Sequence, residues 1–238
     1  MEAAHIVFQL GFLQITSTVI TTWGILLLLG VGSWLATRSL SVASPGLVQT
    51  ALEGAVQSIE AAIEGVLPGR SALLLPFVGT LWIFVAVANL TGLVPELHSP
   101  TGDLSTTAAL AFLVFLSVHW FGICSSSLKT YLHHYLTPSP VLLPFHLLGE
   151  LSRTLALAVR LFGNIMSLEM AALLVLLVAG LLVPVPILML HIIEALVQAY
   201  IFGTLALIYI AGGMQSQEAS HASDTTSSNA LDKKGSST

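Results

Sequence analysis

Arg160 stands in the middle of an apolar run, Leu157-Ala158-Val159-Arg160-Leu161-Phe162-Gly163. A guanidinium placed at bilayer depth costs about 2.5–3.5 kcal/mol on insertion scales. It stays protonated there, so it cannot escape the cost by neutralising. Asn164 follows four residues later on the same helical face and Arg153 precedes by seven, with Ser152 and Ser167 close to that stripe. Glu169 lies further along the same segment. A second apolar segment carries His191, Glu194 and Gln198 at spacings of three and four, which puts them on one side of a helix, with Tyr209 beyond. Two neighbouring helices with such stripes would form a polar seam. Water or protons can occupy such a seam, whereas lipid would not tolerate it.

Blander readings of the same residues exist. Arg160 and Glu194 could form a buried ion pair that only locks two helices, although such pairs are weak sources of stability. His191 and Glu194 at i, i+3 resemble half of a di-metal carboxylate site, but the matching half is absent. Glu96, His98 and Asp103 read as solvated loop residues, with ion entry as the alternative role; His133-His134 reads as an interfacial pair. Cys124 is the only cysteine, which excludes an internal disulfide and a cysteine metal site. It reads as a small apolar helix residue.

The elements that must hold these groups follow from composition. Of 238 residues, 55% are hydrophobic and 8% charged, against about 25% charged in a soluble domain. Mean hydropathy is +0.91. At about 20 residues per crossing, the apolar stretches allow five spans: Ile15–Ala36, Leu73–Val94, Ser105–Ile123, a stretch within Val141–Ala179, and Ile187–Ile210. The stretch Val141–Ala179 is too long for one upright crossing at about 1.5 Å per residue, so it must tilt, bend or lie partly along the bilayer. Val42–Val66 differs in kind: Glu53, Glu60 and Glu64 alternate with Leu52, Val56, Ile59 and Ile63, giving one acidic and one apolar face. That pattern predicts an interfacial helix. The predicted fold class is thus an all-α polytopic membrane protein. Residues 1–214 form one membrane domain, and 215–238, rich in Ser, Thr, Asn, Asp and Lys, are expected to be a disordered polar tail.

Five crossings place Arg38, Arg70, Lys129, Lys233 and Lys234 on one side. The bias of cations toward the cytoplasm then predicts an outside N-terminus and a cytoplasmic tail. The N-terminus, Met1-Glu2-Ala3-Ala4-His5, lacks a positive signal region or an Arg-rich transit face. Insertion is therefore expected to rely on the first span, in a bacterial inner membrane.

The run Leu157-Ala158-Val159-Arg160-Leu161-Phe162-Gly163-Asn164 resembles the signature of the F-type ATP synthase a-subunit family. Glu194-Ala195-Leu196-Val197-Gln198-Ala199-Tyr200-Ile201-Phe202 is similar to that family's last-helix motif. Asn89-Leu90-Thr91-Gly92-Leu93-Val94-Pro95 and Pro100-Thr101-Gly102-Asp103-Leu104 resemble the end of an earlier span and the loop after it, and Ile15-Thr16-Ser17-Thr18 with Trp23 its first span. The resemblance covers about residues 5–214 in order. It implies a membrane hairpin of two long tilted helices against a rotor, with Arg160 facing the carboxylates of the c-ring and Gln198 packed near it. Asn164, Glu169, His191 and Glu194 would line two half-channels for protons or sodium. It further implies a peripheral stalk of b subunits, membership of the whole ATP synthase, and no cofactor.

Other function classes find less support. No Walker-type Gly-rich loop occurs, so nucleotide chemistry would lie in other subunits. No basic cluster marks a nucleic-acid partner. His191-Ile192-Ile193-Glu194 does not supply the paired histidines of a zinc protease helix. A stand-alone ion transporter or channel is the competing reading, because intramembrane Arg, Glu and His would serve it equally well. No internal repeat of the kind that marks many transporters is visible.

Overall fold

A computed structural model of the chain describes residues 6–10, 13–38, 46–94, 97, 99–125, 143–179 and 184–235. A short antiparallel hairpin, β1 (Ile6–Leu10) and β2 (Leu13–Thr16), leads into α1 (Ser17–Arg38). The body that follows is all-α: α2 (Leu47–Val66), α3 (Ser71–Leu90), α4 (Leu104–Ser125), α5 (Leu143–Ala179) and α6 (Pro184–Gly235). Two short 3-10 turns, Thr91–Leu93 and Pro100–Gly102, lie between α3 and α4.

Five helices are long and apolar enough to cross a membrane: Ser17–Arg38, Ser71–Leu93, Leu104–Cys124, Leu148–Val178 and Pro186–Gln215. These are the five expected spans. The helix α2 is the predicted amphipathic one. Its Glu53, Glu60 and Glu64 are exposed, whereas Ile63 is buried. Gly69 turns the chain from α2 into α3 with φ of 78°, a left-handed conformation that favours glycine. Its N–H donates to Glu64 Oε1 at 2.6 Å, which ties the turn to the last turn of α2.

Some details differ from what the sequence suggested. Pro184 and Pro186 do not form a separate turn but sit in the first turn of α6, where a missing N–H costs nothing. The backbone of α6 continues as helix to Gly235, through the tail expected to be disordered. The helix enters that polar stretch already nucleated, and no proline follows Pro186 to stop it. The strand pair ahead of α1 was not foreseen. Pro95-Glu96, His98, Lys129, His133-His134 and Pro138-Ser139-Pro140 lie outside the described residues.

The chain divides into two compact units, Met1–Ala108 with Ala158–Thr204, and Ala109–Leu157 with Leu205–Thr238. In the first, the buried residues of α3 (Leu74, Val78, Leu81, Val85, Ala88) have counterparts in Leu161 and Ile165 of α5 and in Ala195, Ala199 and Phe202 of α6. Trp82 fills the space left by Gly203: a Cβ placed on that glycine would fall 2.7 Å from the indole. The Trp82 ring also leans on Tyr200, with ring centres 5.4 Å apart. In the second unit the buried set is Ala111, Val114 and Phe121 of α4 with Leu157, Ala206, Leu207, Ile210, Ala211 and Met214. Hydroxyls inside the spans bond carbonyls of their own helix, Ser117 to Val114 (2.6 Å) and Thr204 to Tyr200 (2.8 Å) among them. Such bonds satisfy a polar group where no water is at hand.

Candidate functional site

The long helix α5 positions Arg160, Asn164 and Glu169. Its 37 residues span about 55 Å at about 1.5 Å per residue, well beyond the roughly 30 Å hydrocarbon layer. The helix therefore cannot stand upright within it. Arg160 is exposed, and among the described residues it makes no ion pair and no hydrogen bond. The internal Arg160–Glu194 pair does not form. The residues that follow Arg160 on its exposed face are small: Gly163 and Ser167 are both exposed, and a Cβ added to Gly163 would meet nothing within 4 Å.

Asn164 turns the other way. It is part-buried, and its Nδ2 donates to Gln198 Oε1 of α6 at 2.5 Å. Four residues advance about 400° at 3.6 residues per turn, so Asn164 stands some 40° around the helix from Arg160. That offset takes it off the outer face and into the helix contact. Gln198, expected beside the arginine, is thus bonded to Asn164. Gln198 is 1% exposed, and its Nε2 has no hydrogen-bond partner among the described residues.

His191 is 3% exposed and its Nε2 is likewise buried without a partner. The ring faces the 3-10 turn after α3: a Cβ on Gly92 would lie 3.4 Å from its Cε1 and Nε2. Glu169, half-buried, faces the second turn of the same connection, and a Cβ on Gly102 would lie 3.4 Å from both carboxylate oxygens. Glu194 is half-buried on α6. Among the described residues no three His, Cys, Asp or Glu side chains gather as a metal site would require.

What holds that connection was missed by sequence reasoning. Asn89, fully buried at the end of α3, donates through Nδ2 to the Ala195 carbonyl of α6 (3.2 Å) and accepts from Thr101 Oγ1 (2.7 Å). Ser99 Oγ lies 2.6 Å from Thr101 Oγ1 and donates to the Ala88 carbonyl (2.8 Å). Thr91 also reaches that carbonyl at 2.6 Å. The two turns are thereby pinned to α3 and α6, with one glycine of each against an ionisable side chain. The sequence signal was available: Thr-Gly and Pro-Thr-Gly flank a polar loop in an otherwise apolar chain.

Within the second unit, Arg153 holds its guanidinium 5.7 Å from the centre of the Tyr209 ring, a cation–π arrangement.

Comparison with known proteins gives one answer. The family model for the ATP synthase A chain matches residues 18–211. The chain is 63% identical over 219 residues to ATP synthase subunit a 2 of Pelobacter propionicus, covering 92% of this chain and 96% of that protein. It is 62% identical over 207 residues to ATP synthase subunit a 1 of Hahella chejuensis, covering 87% and 88%. To ATP synthase subunit a of Legionella pneumophila (strain Corby) it is 57% identical over 215 residues, covering 90% and 94%. With its five membrane-spanning helices and this match along nearly all of them, the chain belongs to the ATP synthase A chain family, the a subunits of F-type ATP synthases.

Proposed function

We propose that this chain is the non-catalytic, ion-conducting stator subunit of the synthase's membrane sector, and that Arg160 discharges the carboxylates of a rotating c-ring. The observation that carries this reading is the state of Arg160: charged, exposed and unpaired among the described residues. A permanent cation in a span needs an anionic partner. Here the exposed face leaves that place open to another chain.

The mechanism follows from electrostatics. A rotor carboxylate facing lipid must be neutral, because exposing its charge there is costly. Beside Arg160 the opposite charge favours the ionised form, so the acid releases its ion into one half-channel and reloads from the other. The same guanidinium repels cations and blocks a direct leak. Each charge crossing 100 mV yields about 2.3 kcal/mol. Asn164, Glu169, His191 and Glu194 line the two half-channels, and Gln198 packs near the arginine. Supporting that role, Nε2 of His191 and of Gln198 are buried polar atoms that water would satisfy. Peripheral stalk b subunits hold the chain against the rotor. The surrounding membrane is a bacterial inner membrane, as the relatives' bacterial sources suggest, with the N-terminus outside and the tail in the cytoplasm.

The test is Arg160→Ala in the whole complex, reconstituted in vesicles. ATP-driven pumping and ion-driven ATP synthesis are expected to be lost with assembly largely intact. Arg160→Lys should fail as well, because a compact amine is not a planar guanidinium and can lose its proton. Normal ion-coupled synthesis in Arg160→Ala refutes the role. Transport by the purified chain alone would favour a self-sufficient channel.

A further inference from the structure

We propose that α2 docks on the bilayer surface, and that its acidic flank selects lipids with ammonium headgroups of the ethanolamine type over anionic ones. The helix is held at one end only. Ile63 is buried, as is Leu67 just beyond the last turn, and Ile59 reaches α3, where a Cβ added to Gly79 would lie 4.0 Å from its Cγ2. Upstream of that contact every residue from Thr50 to Ser58 is exposed. Leu52, Val56, Ile59 and Ile63 form one apolar stripe. Its second half packs toward α3; its first half, with Val48 before it, is bare.

The sign of the charge beside this stripe is what names the lipid. Residues 47–66 hold three glutamates and no Lys or Arg. Interfacial helices ordinarily carry Lys and Arg, which attract anionic headgroups; α2 has the reverse sign. At about 100° per residue, Glu53, Glu60 and Glu64 stand about 90° round the helix from the apolar stripe, and Gly54, Ser58, Ala61 and Gly65 fall opposite it. With the stripe among acyl chains, the carboxylates therefore lie level with the headgroups rather than out in water. Glu60 and Glu64 line an open cleft of about 450 Å³ with Gln57, Gly69 and Ser71. The Gly69 N–H takes one Glu64 oxygen, which leaves the other, and Glu60, to face a cation. A primary ammonium offers three N–H donors to such oxygens. A choline group offers none, and a net negative headgroup repels them. A basic protein helix would match the carboxylates yet leave the stripe in water; the bilayer surface covers both at once.

The test uses the whole ATP synthase in vesicles of phosphatidylcholine, alone or mixed with phosphatidylethanolamine or with phosphatidylglycerol. Val56→Cys, combined with Cys124→Ser, is reacted with N-ethylmaleimide, a permeant reagent that attacks a water-exposed thiolate, and labelling is read on the separated subunit. The rate should be several-fold lower with the ethanolamine lipid than with phosphatidylcholine alone, and highest with phosphatidylglycerol. In the triple variant Glu53→Lys, Glu60→Lys, Glu64→Lys that order should invert, which a difference in lipid packing would not produce. The neutral triple, Glu53→Gln, Glu60→Gln, Glu64→Gln, should bring the three rates together, and it decides the matter where the lysine variant fails to assemble. Equal rates in all three lipids with the glutamates in place overturn the proposal, as does an order that neither triple variant changes. A rate that is low in every lipid and rises only when a neighbouring subunit is stripped away also overturns it, because a protein then covers the stripe.

Discussion

Two polar clusters lie close to one another in the first unit, and they differ in completeness. Around Asn89, Ser99 and Thr101 the buried oxygens and the Asn89 amide all have partners within 2.6–3.2 Å. In the neighbouring set, Nε2 of His191 and Nε2 of Gln198 are equally buried and have none among the described residues. A buried polar group left bare costs about 1–3 kcal/mol, so fold stability alone would not select such a pair. The first cluster is scaffold. The second is kept for something that arrives, and on our reading that is water and protons.

The contrast can be broken or sharpened in order of expected effect. Gly203→Leu should be the most damaging change, because even a Cβ there meets the Trp82 indole at 2.7 Å. The assembled complex should largely disappear from membranes, as a blot for the subunit would show. Asn89→Ala strips partners from Thr101 and from the Ala195 carbonyl, a cost of about 1–3 kcal/mol for a buried group left unpaired. It should lower the thermal stability and the amount of assembled complex while sparing ion flux per complex. Glu194→Gln should do the reverse: normal assembly with slowed transport, because a half-channel can keep water as carrier. Transport rates unchanged across pH would remove Glu194 from the path. Gly102→Ala should be mildest, since its added methyl meets Glu169 oxygens at 3.4 Å, a contact a small shift relieves. Equal loss of assembly from the Asn89 and Glu194 variants would erase the distinction between scaffold and path.

Much of this was legible in the sequence. Length and hydropathy fixed the number of spans, alternating Glu and Ile marked α2, and the lone charge marked Arg160. Which face each span buries was not legible, for a physical reason. In a membrane both faces are apolar, so hydropathy does not separate lipid-facing from protein-facing residues. Size does not separate them either: Leu161, Ile165, Phe202 and Leu207 are buried alongside Ala88, Ala195 and Ala199, whereas Leu148, Leu155, Leu173 and Leu177 are exposed. Nor does hydropathy announce that Asn164, one turn from Arg160, is the residue bonded to Gln198. The pairing of Asn89 with Ala195 spans 106 residues of chain, and no local pattern announces it.

The Trp82 ring lodged against Gly203 has a mechanical meaning. On the function proposed above, a rotor turning past α5 would push sideways on it, and α6, bonded to it through Asn164 and Gln198, would share that load. A large rigid ring seated in a notch with no side chain of its own stops α6 from sliding along α3. In a rotary engine the stationary part must not creep, because every ångström of give is torque that never reaches the shaft.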